Sequence, residues 1–308
     1  MSSFDPAKDL VLITCASGAQ ASHLLPIVVG KWKRLRLAVN SPSSEERLKK
    51  AYPGAEVIRA NLEEPHETKR LLKGVATVFH IGPTYHPRET EIGYNMIEAA
   101  LEGAKDGTFK HFVLSSALST QLSKMKNHDC KRLVEEYLFE SDLAYTVVQP
   151  CAFMTNLPLS YLLSLEKPVY PANWDPKVPF SYIALEDFGQ VVARIVEERE
   201  HHYYAQYPLV GTTPINTHDV VATFSKAIGK PIAIHQNSFE EGVNMLLTIL
   251  FGPGPHHPYT RDSAERMLLY YNRRGLVGNP NVLEWLLGKK ATTLEQWSEK
   301  QVQNAKSK

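Results

Sequence analysis

The sequence predicts an α/β fold: a doubly wound parallel sheet with helices on both faces, followed by a smaller C-terminal lobe. Three observations predict it. Six short apolar runs alternate with helix-length amphipathic segments up to Pro150. The first run ends in a turn of small residues, Thr14-Cys15-Ala16-Ser17-Gly18. After Asn156 the alternation stops. Strands separated by helices need right-handed crossovers, and these build a parallel sheet.

The elements follow in order. Leu10–Thr14 is a short apolar run of the kind that forms a buried parallel strand. Ser22–Val29 has helical spacing (Leu24, Leu25, Val28, Val29), with Pro26 in its first turn or two, where proline is tolerated. Leu35–Val39 is the second strand, closed by Ser41-Pro42-Ser43-Ser44, and a helix over Glu45–Ala51 follows. Ala55–Arg59 is the third strand and Pro65–Leu72 a helix. Ala76–His80 is the fourth strand, stopped by Gly82-Pro83. The helix Glu91–Glu102 gathers Ile92, Met96, Ile97 and Ala100 on one face. Phe109–Leu114 is the fifth strand. The helix Asp129–Glu140 carries the stripe Leu133, Val134, Tyr137 and Leu138, and Tyr145–Gln149 is the sixth strand, closed by Pro150.

In the second half Phe180–Ile183 returns as a strand, and the helix Glu186–Glu197 rejoins the sheet. Pro208–Gly211 is another strand. Helices are expected over Thr217–Ile228, with Thr217 as N-cap, and over Gly242–Phe251, Asp262–Arg273 and Leu294–Gln303. The expected division is 1–156, with 180–212 rejoining it, against a lobe of 157–179 and 213–308. Phe153, Met154, Tyr161, Trp174, Met245, Leu246, Leu250 and Phe251 are candidate walls of an apolar pocket.

Composition bounds the function. In 308 residues, Lys+Arg total 34 and Asp+Glu 33, a formal net charge of +1. That balance argues against nucleic-acid binding and a polybasic membrane anchor. Three cysteines, Cys15, Cys130 and Cys151, suit a reducing compartment better than a disulfide scaffold. The start lacks a signal-peptide core, and the run Val243–Phe251 is too short to span a bilayer, so the expectation is a cytoplasmic protein. The His201-His202 and His256-His257 pairs sit on adjacent positions that diverge on regular elements, and no metal site is expected.

Ligands on a parallel sheet sit at the carboxyl ends of the strands. Those ends hold Cys15 to Gln20, Asn40-Ser41, Asn61-Leu62, Gly82 to His86, Ser115 to Leu118 and Pro150 to Phe153. A dinucleotide turn needs small residues for a tight bend, for approach to the pyrophosphate and for helix packing. Gly18 fills the middle place and Ala21 can fill the last. The first holds Cys15, whose Cβ opposes positive φ. The end of strand two, where an acid favours NAD and an arginine NADP, holds the neutral Asn40, with Lys49, Lys50 and Arg36 as nearby charges.

Four stretches resemble the NmrA-like family of atypical short-chain dehydrogenase/reductase folds, most closely its fungal members. They are Thr14–Ser22, Gly82–Met96, Phe112–Arg132 and Gln149–Asn156. The resemblance implies a Rossmann-type NAD(P)-binding domain with a C-terminal substrate lobe. The implied cofactor is NADP(H) or NAD(H), contacted by Thr14, Ser17, Gly18, Ala19, Gln20, Asn40, Asn61, Gly82, Pro83, Ser115, Lys131, Pro150 and Phe153. Tyr85, His86, Ser116, Phe153, Asn156 and Tyr161 are the implied substrate contacts. This chain departs from the family where Cys15 and Ala21 replace glycines, where Asn40 replaces a frequent arginine, and where Asn61 replaces an aspartate.

The dehydrogenase pattern pairs a tyrosine with a lysine four residues later. Lys131 matches the lysine, but the tyrosine position holds Asn127, which is no general acid. His128, three residues before Lys131, shares its helix face and can move protons near neutral pH. Lys131 and His128 are therefore the expected catalytic pair. The resemblance implies an oxidoreductase, or a nicotinamide-using isomerase or cyclase, acting on a small apolar carbonyl, enone or imine compound of secondary metabolism. Two alternatives stand beside it. One is a redox-sensing regulator that binds dinucleotide and a protein partner without turnover; the other is a cofactor-free enzyme on a degenerate Rossmann fold.

Overall fold

The computed structural model describes residues 4–307. In chain order the elements are β1 (Val11–Ile13), α1 (Ala19–Val28), β2 (Leu35–Val39), α2 (Pro42–Ala51), β3 (Glu56–Arg59), α3 (Pro65–Leu72), β4 (Thr77–Ile81), α4 (Glu89–Lys105), β5 (His111–Ser115), α5 (Lys126–Phe139) and β6 (Tyr145–Pro150). Then come β7 (Ala152–Phe153), a 3-10 turn over Met154–Asn156, α6 (Leu159–Leu163), β8 (Val169–Ala172), β9 (Tyr182–Ile183), α7 (Leu185–Glu198) and a second 3-10 turn over Arg199–His202. The remainder is β10 (Ala205–Leu209), α8 (Thr217–Ile228), β11 (Ala233–Gln236), α9 (Phe239–Phe251), α10 (Pro258–Arg274), α11 (Asn281–Leu287) and α12 (Leu294–Lys306).

The chain divides into two compact units. The first comprises Met1–Gln121, His128–Gln149 and Phe188–Tyr207. It stops at Gln149, seven residues before Asn156, and regains 188–207 rather than the whole of 180–212. Its sheet runs β10-β6-β5-β4-β1-β2-β3. The pairs β1·β2, β1·β4, β2·β3, β4·β5 and β5·β6 are all parallel. Both faces are buried, which is why the strands read as nearly unbroken apolar runs. One face packs against α3, α4 and α5 through Leu71, Leu72, Met96, Ile97, Val134 and Leu138. There α4 and α5 approach so closely that a Cβ on Gly93 would lie 2.4 Å from Val134 Cγ2. The other face meets α1 and α7. Phe79 of β4 packs on Phe188 with ring centroids 6.3 Å apart, and a Cβ on Gly189 would meet the His23 carbonyl at 2.9 Å.

Several expected boundaries move. Helix α1 begins at Ala19, so Pro26 is its eighth residue and sits in the interior; its missing N–H leaves the Ser22 carbonyl without an intrahelical donor. Helix α5 starts at Lys126, three residues before the expected Asp129, which places Asn127, His128 and Lys131 on one helix. Helices α9 and α10 begin at Phe239 and Pro258, earlier than the apolar pattern suggests, because Ser238 and His257 cap them.

The second unit comprises Leu122–Asn127, Pro150–Asp187 and Pro208–Lys308. Two short parallel pairs, β8·β11 and β7·β9, organise it. Asn216, not Thr217, is the N-cap of α8, where it forms a capping box with Asp219. Phe224 of α8 faces Trp297 of α12 at 6.4 Å. Trp174, a candidate pocket wall, instead joins an aromatic cluster with Phe180 (4.6 Å) and Tyr271 (5.7 Å). Met154 is fully buried, while Leu250 and Phe251 are exposed. No helix among the described residues is long and apolar enough to cross a membrane.

Candidate functional site

The strand order reverses between β1 and β4, and the carboxyl ends on either side of that switch point form the candidate site. The turn after β1 is tied down first. Thr14 Oγ1 accepts from the Ile81 amide (2.8 Å) and donates to the Ile81 carbonyl (3.0 Å). His80 Nδ1 lies 3.0 Å from the same oxygen, and with the hydroxyl proton committed it is the donor. Burial lowers the His80 pKa to about 3, so this lock between β1 and β4 is uncharged. Thr14, expected at the cofactor, spends its hydroxyl here.

Cys15 adopts φ +46°, the left-handed conformation for which glycine is the easy occupant. The Gly18 amide donates to the Cys15 carbonyl at 2.9 Å, and Ala16 N donates to Ala38 O at 3.0 Å. The turn therefore keeps its tight shape with a strained cysteine at its first place. Burial pushes the Cys15 thiol up to about 11, with Glu89 raising it further and Lys131 opposing, so it stays a thiol. Gly18 caps α1 without a side-chain acceptor, leaving the first-turn amides of Ala19 and Gln20 as an anion-binding end. Ser17 turns its carbonyl to Arg47 Nη2 at 3.3 Å.

Lys131 of α5 donates to Glu89 Oε1 at the start of α4. The Glu89 side chain is only 3% exposed and that of Lys131 14%. Burial disfavours the ammonium, but the Glu89 carboxylate more than offsets that, and the Lys131 pKa is raised. Gly82 permits the arrangement, since a Cβ there would lie 3.1 Å from Glu89 Oε1. Beside the pair, Ser115 Oγ donates to Gln20 Oε1 at 2.7 Å. Ser116 Oγ is buried with no hydrogen-bond partner among the described residues. His80, Gly82, Glu89, Ser115, Ser116 and Lys131 enclose a cavity of about 10 Å³, room for one water at most.

His128, expected beside Lys131 in proton transfer, is held by a local backbone contact. Its Nδ1 donates to the Ser119 carbonyl at 3.2 Å. Burial lowers its pKa to about 4 against the pull of the Ser119 and Leu118 carbonyls. A neutral imidazole is no proton donor at pH 7. His86 is half-exposed, accepts from the Arg88 amide at 3.2 Å and faces Glu63 at 3.5 Å. Tyr85 is buried at φ +61°. Pro150, Phe153, Asn156 and Tyr161 belong to the second unit, where Phe153 ends β7 and Tyr161 is exposed on α6.

A second, open cleft of about 380 Å³ lies at the ends of β2 and β3, lined by Asn40, Arg59, Ala60, Asn61, Glu67 and Arg70. Asn61 Oδ1 accepts from Glu63 N at 3.1 Å, and its own amide donates to Glu67 Oε2 at 3.3 Å. Of the charges expected beside Asn40, Arg36 is committed to Glu56 (2.8 Å) and the Leu71 and Lys73 carbonyls, and Lys49 to Glu45 (2.7 Å). Glu89 and Arg59 are the residues that sequence reasoning misses. Glu89 reads as one more acid at a solvated helix start, and Arg59 as the polar end of an edge strand. Among the described residues no three His, Cys, Asp or Glu side chains gather to hold a metal ion.

A parallel sheet in this order, with a small-residue turn after β1 and an uncapped helix behind it, defines the dinucleotide-binding Rossmann-type class. Within it, the chain belongs to the NmrA-like family, whose model matches residues 7–301. Among curated proteins it is 28% identical over 187 residues to an NAD(P)H azoreductase of Xenophilus azovorans, an alignment spanning 58% of this chain and 60% of that protein. Among solved structures it superposes on a Citrobacter sp. triphenylmethane reductase complexed with NADP(H) with a TM-score of 0.78 and 17% identity, covering 95% and 99% of the two chains. The negative transcriptional regulator NmrA in complex with NAD gives 0.76 and 18%, covering 97% of each. These likenesses establish the fold.

The residues present fit a dinucleotide unevenly. The cleft at β2 and β3 and the free end of α1 suit an adenosine and its pyrophosphate. At the other end the orphaned Ser116 hydroxyl offers a polar contact, but the Gln20–Ser115 and Glu89–Lys131 contacts must part to admit a ring.

Proposed function

We propose that this protein is an NAD(P)H-dependent oxidoreductase acting on a small apolar carbonyl, enone or imine compound, in the cytoplasm and as a family member of fungal secondary metabolism. The observation that carries the reading is the largely buried Lys131 ammonium near the carboxyl end of β5, with an adenosine-sized cleft at the carboxyl ends of β2 and β3 of the same sheet. When bound, the nicotinamide supplies or accepts the hydride. The uncapped end of α1 holds the pyrophosphate, and Asn61 meets the adenine edge. Lys131, released from Glu89, donates a hydrogen bond to a ribose hydroxyl or to the substrate oxygen. The ammonium stabilises negative charge on that oxygen, and the low-dielectric surroundings strengthen the effect. Asn127 carries no acidic proton and His128 is neutral, so the proton for the product comes from water.

The test is nicotinamide absorbance with a panel of apolar quinones, enones, imines and azo compounds. Substrate-dependent oxidation of NADPH or NADH is expected, and Lys131→Met should lower kcat/KM by about a hundredfold, a loss typical of removing one positioned donor. The small cavity around the Glu89–Lys131 pair favours a second reading, a regulator that binds dinucleotide and a protein partner without turnover. Tight cofactor binding with no oxidation across the panel would decide for that reading.

A further inference from the structure

The cleft at the ends of β2 and β3 contains a cation that the described structure does not neutralise. Arg59 is exposed at the end of β3, in register with Val39, the last residue of β2. That places it beside Asn40, where the adenosine ribose of a bound dinucleotide lies. The neighbouring charges are all engaged. Arg70 Nη2 donates to Glu67 at 3.0 Å and to the Arg59 carbonyl at 3.1 Å. Glu67 also accepts from the Asn61 amide. Glu45 of α2, the acid that feels Arg59, is held by Lys49 at 2.7 Å. The Arg59 guanidinium makes no ion pair among the described residues. Asn40 offers no carboxylate to accept from a ribose 2′-hydroxyl or to repel an anion there.

We propose that Arg59 binds a phosphate on the 2′-oxygen of the adenosine ribose, so that this cleft selects NADP(H) over NAD(H). The inference rests on the dinucleotide reading above and deepens it. A guanidinium presents a planar fork that matches phosphate oxygens two at a time. Arg59 thus supplies from β3 the charge that Asn40 does not supply from β2.

Calorimetric titration of the full-length protein tests it, with NADP+, NAD+, adenosine 2′,5′-bisphosphate and adenosine 5′-phosphate as probes. NADP+ and the bisphosphate should each bind about tenfold or more tightly than their partners without the 2′-phosphate, the scale of one hydrogen-bonded charge contact. Arg59→Ala should remove that preference while leaving NAD+ affinity within about twofold, as for an exposed site elsewhere. Arg59→Lys should retain part of it, which keeps the test valid if the alanine variant folds poorly. Equal binding of the two dinucleotides, or a preference unchanged in Arg59→Ala, would overturn the assignment and leave the dinucleotide reading standing. No binding of any of the four would overturn both.

Discussion

Lys131 and Glu89 are each worth less alone than together. Taking one charge from a buried pair leaves the other desolvated without a partner, whereas replacing both with apolar groups is often nearly neutral. Glu89→Leu should therefore destabilise the fold by about 3 kcal/mol, at the low end of the range because Lys131 keeps 14% exposure. The double variant Glu89→Leu with Lys131→Met should recover most of that loss in a urea titration. If the single and double variants lose equal stability, the pair is not holding the site. The raised Lys131 pKa adds a sign. The unfolded lysine loses its proton near 10.5 while the folded one keeps it, so this stability is present below that pH and disappears above it. Cys15 gives the second test at this scale. At φ +46° a Cβ costs energy, so Cys15→Gly should be more stable than Cys15→Ala by about 1 kcal/mol, both variants having lost the thiol. The sequence marks Cys15 as an oddity because a family glycine stands there. It does not mark Glu89, since nothing in Arg88-Glu89-Thr90-Glu91 says which acid turns inward.

Among the elements, those that bury two faces were the legible ones. The strands of the first half carry Val, Ile, Leu and Phe with few polar interruptions, such as Arg36 in β2 and His80 in β4, because helices cover both sides of the sheet. The pair β8·β11 was not legible. Val169 is 41% exposed and the strand includes Pro171, while β11 is mostly exposed, so neither shows an apolar run. Helix α11 escaped for a different reason: at seven residues, between Pro280 and Gly288, it is too short to show a period. The α4–α5 contact is an element-scale property that can be tested. Alanine at Gly93 gains helix propensity of about 1 kcal/mol. Its Cβ, however, meets both methyls of Val134 inside 3.0 Å, and β-branched valine has little rotamer freedom to yield. The net expectation is a loss of about 1–3 kcal/mol from overpacking. Pairing Gly93→Ala with Val134→Ala should cost less than the sum of the two singles, measured by a double-mutant cycle. Strict additivity would mean that the helices have moved apart.

At the scale of the whole molecule, acid sensitivity follows from three histidines buried without charge in the first unit. Desolvation lowers His80 and His111 to about 3 and His128 to about 4. Each is also tied by a hydrogen bond: His80 to Thr14, His111 Nε2 to Thr146 Oγ1 at 2.8 Å, and His128 to Ser119. In the unfolded chain all three take up a proton near pH 6.5. Their folded-state pKa values lie below that, so their contribution is complete above pH 6.5 and falls as the pH drops toward the folded values. Each adds a slope of up to about 1.4 kcal/mol per pH unit between those limits. Carboxylates contribute over the same range, so a comparison of variants isolates the histidines. His128→Gln keeps an amide donor for the Ser119 carbonyl and cannot titrate. Its stability measured against pH from 7 to 4.5 should show a slope shallower than wild type by nearly one proton, with the two curves parallel above pH 7. An unchanged slope would mean that the imidazole reaches water and titrates in the folded state. His128 would then be able to take up and release a proton in the folded protein, as the sequence suggests.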